Sequence, residues 1–149
     1  MPKQKNNMDL SIRRALVRTY KLLMKGFSKD NDISPLNRTQ AHIILFILYE
    51  GRLSMSELHR ISGLEKGSLT GIIDKLIDLS FVIRTRDQLD RRKVFIELTD
   101  KGQTIAREIE KKIDNHIRKK LDILSETDIQ RFKDAINTLE EISQILQAE

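Results

Sequence analysis

Cysteine is absent from the 149 residues, which excludes a disulfide framework and any thiol-based metal or redox chemistry. Aromatic residues make up only 5%, so a core has to be built from isoleucine and leucine. No apolar run is long enough to cross a bilayer; the longest, Ile43 to Tyr49, suits a buried helix. The opening Met1-Pro2-Lys3-Gln4-Lys5 is basic but lacks the apolar stretch of a signal peptide. A cytoplasmic chain with no membrane partner is expected. There is no Gly-rich phosphate loop, no His-based nucleophile constellation and no paired carboxylates in apolar surroundings. No catalytic residue, metal or cofactor is therefore expected, and the chain does not read as an enzyme.

What is present is a 39% hydrophobic, 33% charged chain with a formal net charge of +5. That is enough apolar sequence for one folded domain, and a small basic protein tends to associate with polyanions. The meaning of the charge depends on where it sits.

Ile12, Leu16, Tyr20, Leu23 and Phe27 recur at three- and four-residue steps and predict a helix over about Asp9 to Phe27. A second helix, from Asn37 or Thr39 to Glu50, is apolar on nearly every side and is stopped by Gly51. Ser54 and Glu57 form a capping-box pattern that starts a short helix burying Leu58 and Ile61. Ser62-Gly63-Leu64 breaks it, and a helix over Glu65–Leu79 follows with Leu69, Ile72, Ile73 and Leu76 on one face. Two helices around so short a Gly-containing turn form a helix-turn-helix pattern. Phe81 to Arg86 and Val94 to Leu98 read as two strands of a hairpin. Thr99 can cap a helix carrying Ile105, Ile109, Ile113 and Ile117, and Ser125 to Asp128 can cap a last one. That last helix spaces Ile129, Phe132, Ile136, Leu139 and Leu146 close to a 3.5-residue repeat, as in a helix–helix seam, with Ser143 interrupting it. The expected fold is mostly α with a small β-hairpin wing.

Between Arg84 and Lys93 stand five basic residues (Arg84, Arg86, Arg91, Arg92, Lys93) and two acidic ones (Asp87, Asp90). Arginines at the tip of a narrow ribbon can enter a DNA minor groove, where the negative potential is strongest; an ordinary solvated hairpin fits the same residues. The adjoining helix-turn-helix tips the balance toward DNA. In that motif the second helix lies in the major groove. Its exposed early positions would be Lys66, Gly67, Ser68, Thr70 and Gly71. Lys66 can bind phosphate or guanine, and Ser68 and Thr70 can meet base edges. Each glycine costs roughly 1 kcal/mol against alanine inside a helix. A plain amphipathic helix leaves that cost unexplained, whereas close approach to a groove wall accounts for it.

The run Glu57-Leu58, Ser62-Gly63-Leu64, Ser68-Leu69-Thr70, Ile72-Ile73-Asp74-Lys75-Leu76, Val82, Arg84, Asp90-Arg91-Arg92 and Leu98-Thr99-Asp100-Lys101-Gly102 resembles the MarR (multiple antibiotic resistance regulator) family in order and interval. The likeness covers about Leu36 to Gly102. The D-x-R turn followed by L-T-x-K-G is its most specific part. The resemblance implies a homodimeric winged helix-turn-helix regulator of transcription. Helical regions 1–35 and 103–149 would form the dimerisation part and 36–102 the DNA-binding lobe. The partner would be double-stranded DNA at an inverted-repeat operator. Arg92 would enter the minor groove, and Asp90 would brace the wing by pairing with a nearby arginine. Members commonly repress, and many release DNA when an anionic or phenolic ligand binds.

Tyr20, Met24, Phe27, His42 and Phe46 gather aromatic character in a chain with little of it. They could line a pocket for a small aromatic or phenolic ligand, or simply pack two helices together. The chain departs from the family pattern at Ser80, where a Gly usually follows the second helix, and at Glu65, where Ser or Thr usually caps it. Gly71 replaces a commonly basic or polar position, so base preference cannot be borrowed. The lack of cysteine removes the thiol-dependent peroxide-sensing branch. His42 lies where a zinc-sensing branch has a histidine; with only His59 and His116 besides, and Glu108 as a carboxylate, a buried hydrogen-bonded His42 is the expectation. The reading from another class is a winged-helix protein-interaction adaptor without DNA binding, which would not need the basic wing.

Overall fold

Helix α1 (Pro2–Leu23) opens the chain, and the short α2 (Phe27–Asp30) follows it. The computed structural model describes the backbone of residues 2–147, and the side chains of that span except residues 2–10, 29, 30 and 147. Met1 and residues 148–149 of the expected dimerisation regions lie outside the described residues. The first helix ends earlier than its apolar spacing suggests because Gly26 adopts a left-handed conformation, φ 88°, which turns the chain and starts α2 at the buried Phe27. The helix also begins before Asp9, in a polar stretch that carries no hydrophobic period.

Helix α3 (Arg38–Glu50) is followed by β1 (Leu53–Ser54), α4 (Met55–Ser62) and α5 (Lys66–Asp78). Strands β2 (Val82–Arg86) and β3 (Val94–Leu98) then lead into the long helices α6 (Asp100–Leu121) and α7 (Glu126–Gln147). Asn37 starts α3 with a reciprocal capping box. Its side chain accepts from the Gln40 amide at 2.9 Å, and the Gln40 side chain accepts from the Asn37 amide at 2.9 Å. Ser125 starts α7 by accepting from the Asp128 amide at 3.1 Å.

The sheet has the order β1-β3-β2 and is antiparallel. Val82 pairs with Leu98 and Arg86 with Val94, so seven residues project beyond the last pair. Strand β1 pairs Leu53 with Ile96 and Ser54 with Phe95, which ties the start of α4 to the hairpin.

The described fold divides into two compact units, Met1–Lys25 with Asp114–Glu149, and Gly26–Ile113. The second has a dry core: Ile43, Ile44, Leu58, Leu69, Ile73, Leu76, Val82, Ile96 and Ile109 are all fully buried. In the first unit, many apolar residues of the helices stand in solvent. On α1, Ile12, Leu16, Val17, Tyr20 and Leu22 are exposed, and so are Ile136, Leu139, Ile142, Ile145 and Leu146 on α7.

Candidate nucleic-acid interface

Helix α4 is fixed at its start by Ser54 and Glu57. The Glu57 carboxylate accepts from the Ser54 amide and hydroxyl, both at 2.7 Å, and the Glu57 amide donates to Ser54 Oγ at 3.3 Å. The Ser54 amide bond, followed by the Ser54 hydroxyl bond, holds the Glu57 carboxyl below its ordinary pKa. Gly63, left-handed at φ 64°, ends the helix, and Leu64 carries the chain into α5. Leu58 is fully buried as expected, but Ile61 is 36% exposed. The helix has only eight residues, and a single buried position anchors it.

Glu65 occupies the N-cap of α5 and makes no side-chain capping bond. Leu69, Ile73 and Leu76 bury one face, with Ile72 half-buried. The opposite face presents Lys66, Gly67, Ser68, Thr70 and Gly71, all exposed. Beyond its own stretch of helix, a Cβ added at Gly67 or Gly71 would meet no atom of the described residues within 4 Å, so packing among them does not require either glycine. Thr70 spends its hydroxyl proton on the Lys66 carbonyl at 2.9 Å. Its oxygen lone pairs and methyl group remain for an outside partner. A groove of about 560 Å³ runs between α4 and α5, lined by Met55, Ser56, His59, Lys66, Leu69 and Thr70.

At the wing, the Asp87 amide donates to the Lys93 carbonyl at 3.0 Å and the Lys93 amide to the Asp90 carbonyl at 2.9 Å. Asp87 Oδ1 accepts from the amides of Leu89 and Asp90, at 2.9 and 3.0 Å. The Asp90 amide bond, then the Leu89 amide bond, lowers the Asp87 pKa, with the charge of Arg52 adding to them. The ion pair that braces the wing is Asp87 to Arg52, at 3.4 Å. Asp90, expected to pair with an arginine, instead accepts from the Arg92 amide at 3.1 Å and shapes the tip. Arg52 also lies 4.6 Å from the centre of the Phe95 ring. Arg52 was not marked by the sequence, because it sits after a helix stop and its partner is 35 residues away.

Arg86, Arg91, Arg92 and Lys93 are exposed around this turn and form no ion pair among the described residues. Arg84 differs: its guanidinium binds Asp74 of α5 at 2.6 Å. The structure thus places Arg84 in a tie between wing and helix, while the other basic residues face outward.

The aromatic group is split by the division of the chain: Tyr20 and Met24 fall in one unit, Phe27, His42 and Phe46 in the other. Within the second, the His42 and Phe46 rings lie 6.4 Å apart, tilted by 33°. His42 is on the exposed side of α3, contrary to the buried histidine expected. The buried side is taken by Gln40, Ala41, Ile43, Ile44, Leu45 and Ile47. Its covered part still disfavours the cation and lowers its pKa, with repulsion from Arg38 added. His116 is buried on α6. Among the described residues, no group of three His, Asp or Glu side chains is placed to hold a metal ion, and no helix is long and apolar enough to cross a membrane.

A helix-turn-helix followed by a basic hairpin in a three-stranded sheet defines a winged helix-turn-helix protein. The MarR family model matches residues 36–94. The chain is 25% identical over 146 residues to the HTH-type transcriptional regulator FarR of Neisseria gonorrhoeae, covering 98% of this chain and 99% of that one. Among solved structures, NadR in complex with 4-hydroxyphenylacetate superposes with a TM-score of 0.68 at 26% identity, covering 86% of this chain and 91% of the other. A MarR family protein from Bacillus stearothermophilus gives 0.71 at 22% identity, over 97% and 99%. Over residues 36–94 the chain is similar to the MarR family, and its curated relatives are transcriptional regulators.

Proposed function

We propose that this regulator binds double-stranded DNA sequence-specifically as a cytoplasmic homodimer and represses transcription until a small aromatic or phenolic ligand releases it. The observation that carries the DNA reading is the outer face of α5. It holds Lys66, Ser68 and Thr70 around two glycines that no other part of the described residues crowds. In the major groove, Lys66 would meet phosphate or guanine, and Ser68 and Thr70 would meet base edges. Gly67 and Gly71 would let the backbone come close. Arg91 and Arg92 at the braced tip would enter the minor groove, with Arg86 and Lys93 on phosphates.

The homodimer is supported by the exposed apolar residues of α1 and α7. A stable monomer rarely leaves so many large apolar side chains in water on two helices, and a second copy would cover them. Residues 1–35 and 103–149 then serve dimerisation and 36–102 serves DNA. The ligand reading rests on the likeness to NadR with its bound 4-hydroxyphenylacetate and, within the second unit, on the neighbouring rings of His42 and Phe46.

The test is fluorescence anisotropy on a labelled random duplex. If the dimer neutralises roughly 6–10 phosphates, affinity falls about 10³–10⁵-fold between 50 and 200 mM salt. An affinity that is absent, or indifferent to salt, refutes the proposal. Thermal shift with 4-hydroxyphenylacetate and related phenols tests the ligand arm separately.

A further inference from the structure

Helix α5 is packed along one face through Leu69, Ile73 and Leu76, and its hydrogen-bonded ties to the following helix gather at its C-terminal end. Leu79 is its C-cap, Ser80 adopts φ 60°, and the amides of Ser80 and Phe81 return to the carbonyls of Ile77 and Leu76, at 2.8 and 2.9 Å. Three successive carbonyls beyond the helix are then taken by the start of α6. Lys101 Nζ donates to Leu79 O at 2.9 Å. Thr99 Oγ1 donates to Ser80 O at 2.7 Å, and the Thr99 amide donates to Phe81 O at 3.0 Å. The Thr99 hydroxyl also accepts from the Gly102 amide at 2.9 Å and so caps α6. Lys101 lies 4.9 Å from the centre of the Phe81 ring. Gly102 has no room for a side chain, since a Cβ there would stand 1.9 Å from Phe81 O. The other end of α5 has no side-chain cap.

We infer that Thr99 and Lys101 form a clasp that sets the pose of α5 and are positioning residues for sequence discrimination. This rests on the DNA-binding reading above. The thirteen residues of α5, at 1.5 Å rise, put Lys66 about 20 Å from the clasp. A tilt of about 5° at the clasp therefore moves the reading end by about 1.7 Å over that length. Base-edge hydrogen bonds do not survive such a displacement. Phosphate contacts, made by long flexible cations, follow it. The clasp thus governs specific binding more than non-specific binding. Lys101 contributes through its ammonium group, which donates to the Leu79 carbonyl and stands over the Phe81 ring.

The experiment compares the full-length parent with Lys101→Met, Lys101→Arg and Thr99→Val. Two probes are used, a duplex selected from a random library by the parent protein and an unselected random duplex, each at several salt concentrations. Circular dichroism and thermal melting report folding. Lys101→Met should lose about tenfold or more in affinity for the selected duplex and less than about twofold on random DNA. Its salt slope should stay at the parent value, and Lys101→Arg should recover most of the loss. Thr99→Val, which removes a different bond of the same clasp, should show the same selective loss if folded. The inference is overturned if Lys101→Met binds the selected duplex as the parent does. It is also overturned if both duplexes weaken equally with a slope lower by about one per subunit, because Lys101 is then a phosphate contact. A parent that binds no duplex overturns the DNA-binding reading itself, and this inference with it.

Discussion

Replacing Gly71 by alanine should make the protein more stable and a poorer DNA binder. The position lies in the middle of α5, is exposed, and beyond its own stretch of helix has no heavy atom of the described residues within 4 Å of where a Cβ would stand. In the free protein the methyl group meets only solvent, so the change in stability is the difference in helix propensity, about 0.8–1 kcal/mol in favour of alanine. For a chain of this length that raises the melting temperature by about 2–4 °C. Against DNA the same methyl group stands between helix and groove. If it costs about 1 kcal/mol per half-site, two half-sites give roughly thirtyfold in Kd. Gly67, equally open, should behave in the same way. Urea or thermal denaturation followed by circular dichroism gives the first number, and anisotropy on a selected duplex gives the second. Increased stability with unchanged binding would refute the close-approach argument. A loss of stability would show that the helix face is packed against something.

Other positions test the frame of the site. Ser80→Gly removes a side chain from a left-handed residue and should stabilise by about 1 kcal/mol in urea denaturation, because the left-handed region costs other residues about that much. Gly102→Ala drives a Cβ into the Phe81 carbonyl, and it should destabilise by about 2–3 kcal/mol, the upper range for overpacking. Glu57 has a lowered pKa through its bonds from Ser54. Its stabilising contribution is therefore present above the ordinary carboxylate range and is lost as pH falls through the lowered value. Glu57→Gln should flatten that part of the acid limb of the stability curve, as measured by denaturation between pH 6 and 3.

Local chemistry is what the sequence made legible. Ser54 with Glu57, Thr99, and Ser125 with Asp128 announce helix starts because a cap acts over three residues. The alternation from Val94 to Leu98 announces a strand. Asn37 with Gln40 carried the same kind of signal, and reading it would have placed the start of α3 at Arg38. Strand β1 was hidden because two residues have no period, and it exists only through pairing with Ile96 and Phe95. The exposed early face of α5 followed from its buried face, as helical geometry requires. The ties of Asp87 to Arg52, of Arg84 to Asp74, and of Thr99 and Lys101 to the end of α5 were not legible. Each joins residues ten or more apart in the chain, and spacing alone does not say which charges the fold brings together. The exposure of His42 was missed for the same reason: helix α3 is apolar nearly all round, and only its neighbours decide which side is covered.

The most direct test of the account compares Arg92→Ala and Thr70→Ala with the parent, on a selected inverted-repeat duplex and on random duplex DNA at matched salt. Both residues are exposed, so both variants should fold, as circular dichroism will report. Arg92→Ala should weaken binding to every duplex, most where an A·T-rich minor groove is narrow. Thr70→Ala should cost about 1–3 kcal/mol per lost base contact on the selected duplex and little on random DNA. If Arg92→Ala binds both duplexes as well as the parent does, the hairpin is not a DNA-binding wing and the central claim is contradicted.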